Sequence, residues 1–142
     1  MKISARNVFD GSIEAVKPGA INSEVDVALP GGLKIVATVT RDSGGDRGLG
    51  AGKAVKALVK ARSFLFLTDG GGVKLSARNR LEGTVTSLTE GPVSTEVAIG
   101  LPNGLTVYAT ITRDGATAIG LKVGVPAAAV FKAPSVIIGV AA

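Results

Sequence analysis

The sequence predicts an all-β protein of two tandem OB-like five-stranded barrels, each with a short helical turn. Three observations lead to this prediction. Hydrophobic residues make up 46% of the 142 residues but only 4% are aromatic, so Val, Ile, Leu and Ala must build the core, and β-branched residues favour strands. Twenty glycines indicate many tight turns. The chain also repeats itself with a period of 72 residues.

The repeat divides the chain into two units of similar length. Residues 2–63 and 74–135 align without a gap and are identical at 25 of 62 positions. We therefore expect a first domain over 1–70 and a second over 71–142, joined by the glycine-rich stretch 68–72. A domain of about 70 residues is marginal alone, so the units are expected to bury a shared face or to oligomerise.

Each repeat carries the pattern of a small antiparallel barrel. Val25–Leu29 alternates as a half-buried strand does, and Leu33–Thr40 follows a Pro-Gly-Gly turn, so the two predict a hairpin. Further elements are predicted at four places: strands over 3–16 and 55–66, and a turn with a short helical piece over 42–52 and again over 114–124. Five strands and one short helix are typical of an OB-like barrel. Another small antiparallel barrel or a sandwich is the alternative.

The composition argues against catalysis. The chain has no Cys and no His, which removes thiol chemistry, disulfides, most transition-metal sites and the usual general base near neutral pH. We predict that the protein is not an enzyme, that it has no catalytic residue and that it coordinates no metal cation directly. The net charge of +5 suits an anionic partner, either a nucleic acid or a small oxyanion.

The expected location is the cytoplasm. No charged-then-apolar leader opens the sequence, and no run reaches the ~18 apolar residues that span a bilayer. We therefore expect a cytoplasmic protein without a membrane partner.

Two motifs that suggest nucleotide or nucleic-acid binding fail on inspection. Gly48–Lys53 resembles a phosphate loop, but its spacing is wrong and Ala54 stands where a Ser or Thr is needed; a structural turn is predicted there. Single-strand binding needs aromatic stacking platforms. The second repeat replaces three phenylalanines by aliphatic residues, which indicates a core role: Phe9 by Leu81, Phe64 by Val136 and Phe66 by Ile138. A nucleic-acid-binding OB-fold protein is the alternative function.

A set of hydrogen-bond donors is identical in the two repeats. In the first copy it consists of three hydroxyls, one amide and two cations: Ser4, Thr40, Ser63, Asn7, Arg6 and Lys60. A tetrahedral dianion needs several such donors at about 2.7–3.0 Å, with moderate positive charge. The set therefore predicts an oxyanion site. Capping of turns and strand ends is the alternative role for these residues.

The motifs Ser-Ala-Arg-Asn at 4–7 and 76–79, and Lys-Ala-x-Ser at 60–63 and 132–135, resemble the molbindin (Mop) family. Two such units in tandem are similar to its two-domain, cytoplasmic, molybdate-binding members. The resemblance implies barrels of the Mop/TOBE type that reversibly bind and store molybdate and tungstate. It also implies a homotrimer with oxyanion sites at subunit interfaces, and no cofactor beyond the ligand.

By this resemblance, each repeat contributes seven ligand residues, some of them to a site completed by a neighbouring subunit. One site type would be lined by Ser4, Arg6, Asn7, Thr40, Lys60, Ala61 and Ser63, and its pseudo-equivalent by Ser76, Arg78, Asn79, Thr112, Lys132, Ala133 and Ser135. Further sites on a three-fold axis are expected at Gly19–Ser23 and Gly91–Thr95. Pro134 stands where the first copy has Arg62, so the two repeats need not bind with equal affinity.

Overall fold

The computed structural model describes residues 3–40, 48–68 and 74–140. In these residues ten strands form two antiparallel five-stranded sheets. The strands of the first repeat are β1 (Asn7–Pro18), β2 (Asn22–Ala28), β3 (Lys34–Thr40), β4 (Ala54–Val59) and β5 (Leu65–Leu67). Those of the second are β6 (Asn79–Glu90), β7 (Ser94–Gly100), β8 (Thr106–Thr112), β9 (Pro126–Phe131) and β10 (Ile137–Gly139).

The first sheet has the strand order β10-β4-β1-β2-β3. Alternate side chains face its core, because successive residues of a strand point to opposite faces; Ile13, Val25 and Ile35 are all buried there. The register of β1 against β2 shifts between Ile13 and Ala15, and such a bulge increases the local twist. The far edges β3 and β10 approach each other, so the sheet curls towards a barrel.

The second sheet repeats this arrangement in the order β5-β9-β6-β7-β8. Its register also shifts at the equivalent place, between Val85 and Ser87. Val97 and Val107 are fully buried, as their counterparts are in the first sheet. The prediction of an all-β chain with two OB-like units is confirmed.

The prediction of one continuous strand over 55–66 is wrong. β4 ends at Val59, a 3₁₀ turn occupies Ala61–Ser63, and β5 then pairs with β9 of the second sheet. The turn forms because the Ser63 amide donates to the Lys60 carbonyl at 3.0 Å, which ends the extended run. β1 likewise begins at Asn7 and extends to Pro18, later at both ends than the predicted 3–16.

The last strand of the second repeat, β10, joins the sheet of the first repeat, just as β5 joins the sheet of the second. β10 pairs with β4 of the first sheet, so each sheet receives its fifth strand from the other repeat. One compact unit accordingly comprises Met1–Val59 with Lys132–Ala142, and the other comprises Lys60–Phe131; we call them unit 1 and unit 2. The division at residue 70 follows the sequence repeat and stays a prediction about domains.

Short helical pieces occupy the connections, as predicted for the second repeat. Helix α1 (Arg113–Ala118) follows β8 directly. The Thr112 hydroxyl caps it by accepting from the Gly115 amide at 3.0 Å, as preferred N-cap residues do. Part of the corresponding stretch predicted over 42–52 lies outside the described residues.

The glycine-rich stretch 48–53 is a turn, which confirms its reading as structural. The Gly52 amide donates to the Ile13 carbonyl at 2.7 Å, and the Lys53 amide donates to the Gly50 carbonyl at 3.1 Å. Amides that serve protein carbonyls in this way are not directed at a phosphate.

The aromatic side chains lie mainly in the core. Phe9 and Phe64 are each 3% exposed, which confirms the core role inferred from their aliphatic counterparts, whereas Phe66 is half-buried. In unit 2, Phe64 meets Phe131 edge to face, with ring centroids 5.0 Å apart. This geometry is the favoured one for aromatic pairs.

A close approach of β1 to β2 generates a stability prediction. A Cβ atom added at Gly11 would lie 2.5 Å from the Ala28 carbonyl oxygen and 2.8 Å from Val27 Cγ1. We expect Gly11→Ala to lower the free energy of unfolding of unit 1 by about 1–3 kcal/mol through overpacking, measured by urea denaturation. Gly50→Ala is the control, because nothing lies within 4 Å of its added Cβ. Equal stability of the two variants would contradict the prediction.

Candidate oxyanion-binding site

The Ser-Ala-Arg-Asn motif of the first repeat enters β1. Ser4 and Arg6 precede the strand and are exposed, whereas Asn7 is its first residue and is 1% exposed. The Asn7 side-chain amide donates to the Val59 carbonyl at 3.1 Å. This bond ties the start of β1 to the end of β4 and fixes the orientation of the amide, since a buried polar group must find a partner.

The second copy of this motif has the same local structure. Ser76 and Arg78 are exposed, and Asn79 begins β6 with 2% of its surface exposed. Asn79 lies opposite Phe131 at the end of β9, just as Asn7 lies opposite Val59. The Lys-Ala-x-Ser motifs therefore begin immediately after the residues that pair with the two asparagines.

The Lys-Ala-x-Ser motifs form two matching turns. In each the Ser amide donates to the Lys carbonyl at 3.0 Å, from Ser63 to Lys60 and from Ser135 to Lys132. Both lysines are exposed, so each turn presents a cation to solvent.

Each turn packs against a strand of the unit that it joins. The turn Ala61–Ser63 lies against β8, which ends at Thr112, and the turn Ala133–Ser135 lies against β3, which ends at Thr40. Each strand that ends in one of these threonines thus packs against the Lys-Ala-x-Ser turn of the other repeat.

The two compact units therefore divide the predicted ligands differently from the sequence repeats. Unit 1 contains Ser4, Arg6, Asn7 and Thr40 with Lys132, Ala133 and Ser135. Unit 2 contains Ser76, Arg78, Asn79 and Thr112 with Lys60, Ala61 and Ser63. Their roles as ligands stay predictions, and both units hold the full set of residue types.

A groove opens beside each threonine. In unit 2 it has a volume of about 590 Å³ and combines apolar walls with the polar side chains of Arg62, Ser94, Thr110 and Thr112. In unit 1 it has a volume of about 450 Å³, and the described residues that line it are Val39, Thr40, Leu49, Val136, Ile137, Ile138 and Val140. Only the groove of unit 2 has a cationic side chain among its described lining residues.

Ser94 is a groove residue that the comparison of the repeats missed. It lies directly opposite Thr112 in the β7–β8 ladder, as Asn22 lies opposite Thr40. The two copies keep a polar side chain at this position but change its type, so a search for identical residues passes over it. A search for preserved hydrogen-bonding capacity would have found it.

The segments predicted at a three-fold axis are the β1–β2 and β6–β7 hairpin turns. The Gly19 amide donates to the Asn22 carbonyl at 2.9 Å, and the Gly91 amide donates to the Ser94 carbonyl at 2.8 Å. Ser23 and Thr95 end these segments with buried side chains. Among the described residues the Thr95 hydroxyl finds no hydrogen-bond partner. An axial role for these segments stays a prediction.

Two kinds of feature are absent from the described residues. Within 3–40, 48–68 and 74–140, no group of three or more Asp or Glu side chains could hold a metal ion. In the same ranges no helix is both long and apolar enough to cross a membrane.

Comparison with known proteins places these features in a family. Residues 3–66 and 75–138 each match the TOBE domain. A crystal structure of the cytoplasmic molybdate-binding protein ModG with molybdate bound is 48% identical, has a TM-score of 0.97 and is matched over 99% of this chain and 100% of that one.

Two curated bacterial proteins are also similar. The molybdenum-pterin-binding protein MopA of Rhodobacter capsulatus is 44% identical over 139 residues, which are 97% of this chain and 52% of MopA. The molybdenum transport protein ModE of Azotobacter vinelandii is 42% identical over 140 residues, or 99% of this chain and 52% of ModE. The chain thus spans about half the length of these relatives. It belongs to the TOBE-domain family, as a molbindin-type protein with two tandem repeats.

Proposed function

We propose that this protein reversibly binds molybdate, and tungstate as its tetrahedral analogue, as an intact oxyanion and stores it in the cytoplasm. The observation that carries the proposal is the match to ModG, a cytoplasmic protein crystallised with molybdate, over the whole of both chains. The donor motifs that are identical in the two repeats also support it, because they supply the hydrogen-bond donors and cations that an oxyanion needs.

The donor set suits a dianion that must be released again. Arg and Lys side chains attract the anion, while hydroxyl and amide groups define the shape of the cavity. Exposed cations at the turns leave the ligand partly solvated, which keeps binding reversible. Sulfate has the same charge and geometry as molybdate, so selection against it would depend mainly on cavity size. The proposal includes no enzymatic step and no cofactor other than the ligand.

Two of the phenylalanines give a nucleic-acid function no support. Phe9 and Phe64 are buried in the units, so neither offers a face on which a base could stack. We therefore retain the oxyanion as the partner.

We also propose that the protein is a homotrimer with oxyanion sites at its subunit interfaces. Three exposed positions stay large and apolar in both repeats, which is unusual unless another surface covers them. The pairs are Ile3 with Leu75, Ile21 with Val93, and Leu65 with Ile137, and the exposed fractions range from 47% to 78%. A second copy of the chain is the occupant that the proposal requires.

The role of the two turn lysines can be tested directly. We expect Lys60→Ala combined with Lys132→Ala to weaken molybdate binding about tenfold or more, because each Lys-Ala-x-Ser turn loses its lysine cation. The measurement is calorimetric titration of the anion-free protein with molybdate, with sulfate as the competing anion.

The control for this variant removes the same charge elsewhere. Lys53 and Lys122 are also exposed, and neither belongs to the predicted ligand set, so Lys53→Ala with Lys122→Ala should bind almost as the parent does. Unchanged binding in the Lys60/Lys132 variant, or equal losses in both variants, would remove the lysines from the site.

Self-association gives a second test. We expect Ile21→Asn with Val93→Asn to reduce the mass measured by light scattering from three times 14.1 kDa towards 14.1 kDa, because the hairpin turns would no longer bury apolar surface. The control is Val123→Asn, since Val123 is 64% exposed but has Ala51 as its counterpart. A monomeric parent protein would contradict the proposed trimer.

A further inference from the structure

The two Lys-Ala-x-Ser turns differ in one side chain only. Their backbones match closely: Lys60 and Lys132 have φ of −68° and −81° and ψ of 143° and 144°, and both turns are closed by the same hydrogen bond. The third position is Arg62 in one turn and Pro134 in the other. The two turns therefore differ in the chemistry of a single residue held on closely similar backbones.

Arg62 lies beside the predicted oxyanion ligands of unit 2. It is flanked by the predicted ligands Ala61 and Ser63, and it lines the 590 Å³ groove together with Thr112. The guanidinium carries five N–H donors in a planar fork that matches oxyanion geometry. No other Lys or Arg is among the described residues that line this groove.

In unit 1 the residue equivalent to Arg62 is Pro134, which has no guanidinium group. Pro134 lacks both a charge and a backbone N–H, so its turn offers one donor fewer even before side chains are considered. The described lining of the 450 Å³ groove beside Thr40 contains no cationic side chain.

From this contrast we propose that Arg62 is a binding residue that makes the oxyanion site of unit 2 tighter than that of unit 1. The chain then contains two classes of site that fill in sequence as the molybdate concentration rises. This inference depends on the proposed molybdate function. One added charge-assisted hydrogen bond in a partly solvated site corresponds to a difference of about tenfold in dissociation constant.

The difference depends on charge, so salt provides an independent signature. Exposed ionic contacts weaken as ionic strength rises, because the Debye length falls to about 8 Å at 0.15 M and about 3 Å at 1 M. The affinity of unit 2 should therefore fall more steeply with sodium chloride than that of unit 1, and the two classes should converge.

The experiment is calorimetric titration of the full-length, anion-free protein with molybdate at low and high salt. The parent is expected to show two classes of site about tenfold apart. Arg62→Gln should weaken the tighter class to the level of the weaker one, and Arg62→Lys should fall between them because it keeps the charge but loses the fork. Pro134→Arg should strengthen the weaker class.

Arg80→Gln is the matched control. Arg80 is an exposed arginine of unit 2 that pairs with Glu82 at 3.0 Å and does not line the groove. Removal of its charge should leave both classes in place.

The outcomes separate this inference from the function on which it depends. A parent protein that binds no molybdate would overturn the proposed function itself. A parent that binds molybdate, together with an Arg62→Gln variant that is indistinguishable from it, would overturn only the role of Arg62. Equal weakening by Arg62→Gln and Arg80→Gln would also overturn it, because the effect would then reflect net charge alone.

Discussion

The pairing of the outer edges of β4 and β9 is the constraint on which the rest of this structure depends. A strand edge presents unpaired N–H and C=O groups that must be covered. β10 covers β4, and β5 covers β9, so each sheet is completed by a segment from the other repeat. A single repeat cut from the chain would lack its fifth strand. This dependence fits the marginal stability expected of a unit of about 70 residues.

The same constraint explains where the candidate ligands occur. The chain must leave the first sheet after Val59 and enter the second at Leu65, and the turn that does this contains Lys60, Ala61 and Ser63. Because the turn has no ladder partners, its exposed side chains can reach an external ligand, although the Ser63 amide already donates to the Lys60 carbonyl. The buried Asn7 then ties the start of β1 to the strand end at which this turn begins. Structural and ligand-binding roles are thus combined in neighbouring residues.

Preservation between the repeats is selective, which strengthens its interpretation. Lys34 and Asp26 form an ion pair at 3.6 Å in the first sheet, but the second repeat has Thr106 and Ala98 at these positions. The exposed pair of Lys56 with Asp10 also loses its cation, since Ala128 replaces Lys56. Ion pairs on one sheet are therefore dispensable in the other, whereas the Ser, Arg, Asn and Lys of the two motifs are kept. Fold stability alone does not account for this difference.

The sequence by itself determined the repeat, the all-β class, the hairpin of β2 with β3 and the chemical nature of the candidate ligands. Alternation of apolar residues specifies local extension and the buried face, and residue types specify donors and charge. Only the tertiary structure decided that the run 55–66 breaks at Lys60, and that the turn Ala61–Ser63 packs against β8 of the other repeat. It also decided that Arg62 and Thr112 line one groove, whereas the described lining of the counterpart groove has no cation. The physical reason is that the sequence of a short apolar strand such as Leu65–Leu67 is compatible with pairing to any open sheet edge. Which edge it joins is settled by long-range backbone hydrogen bonds, and one chain contains two nearly identical candidates.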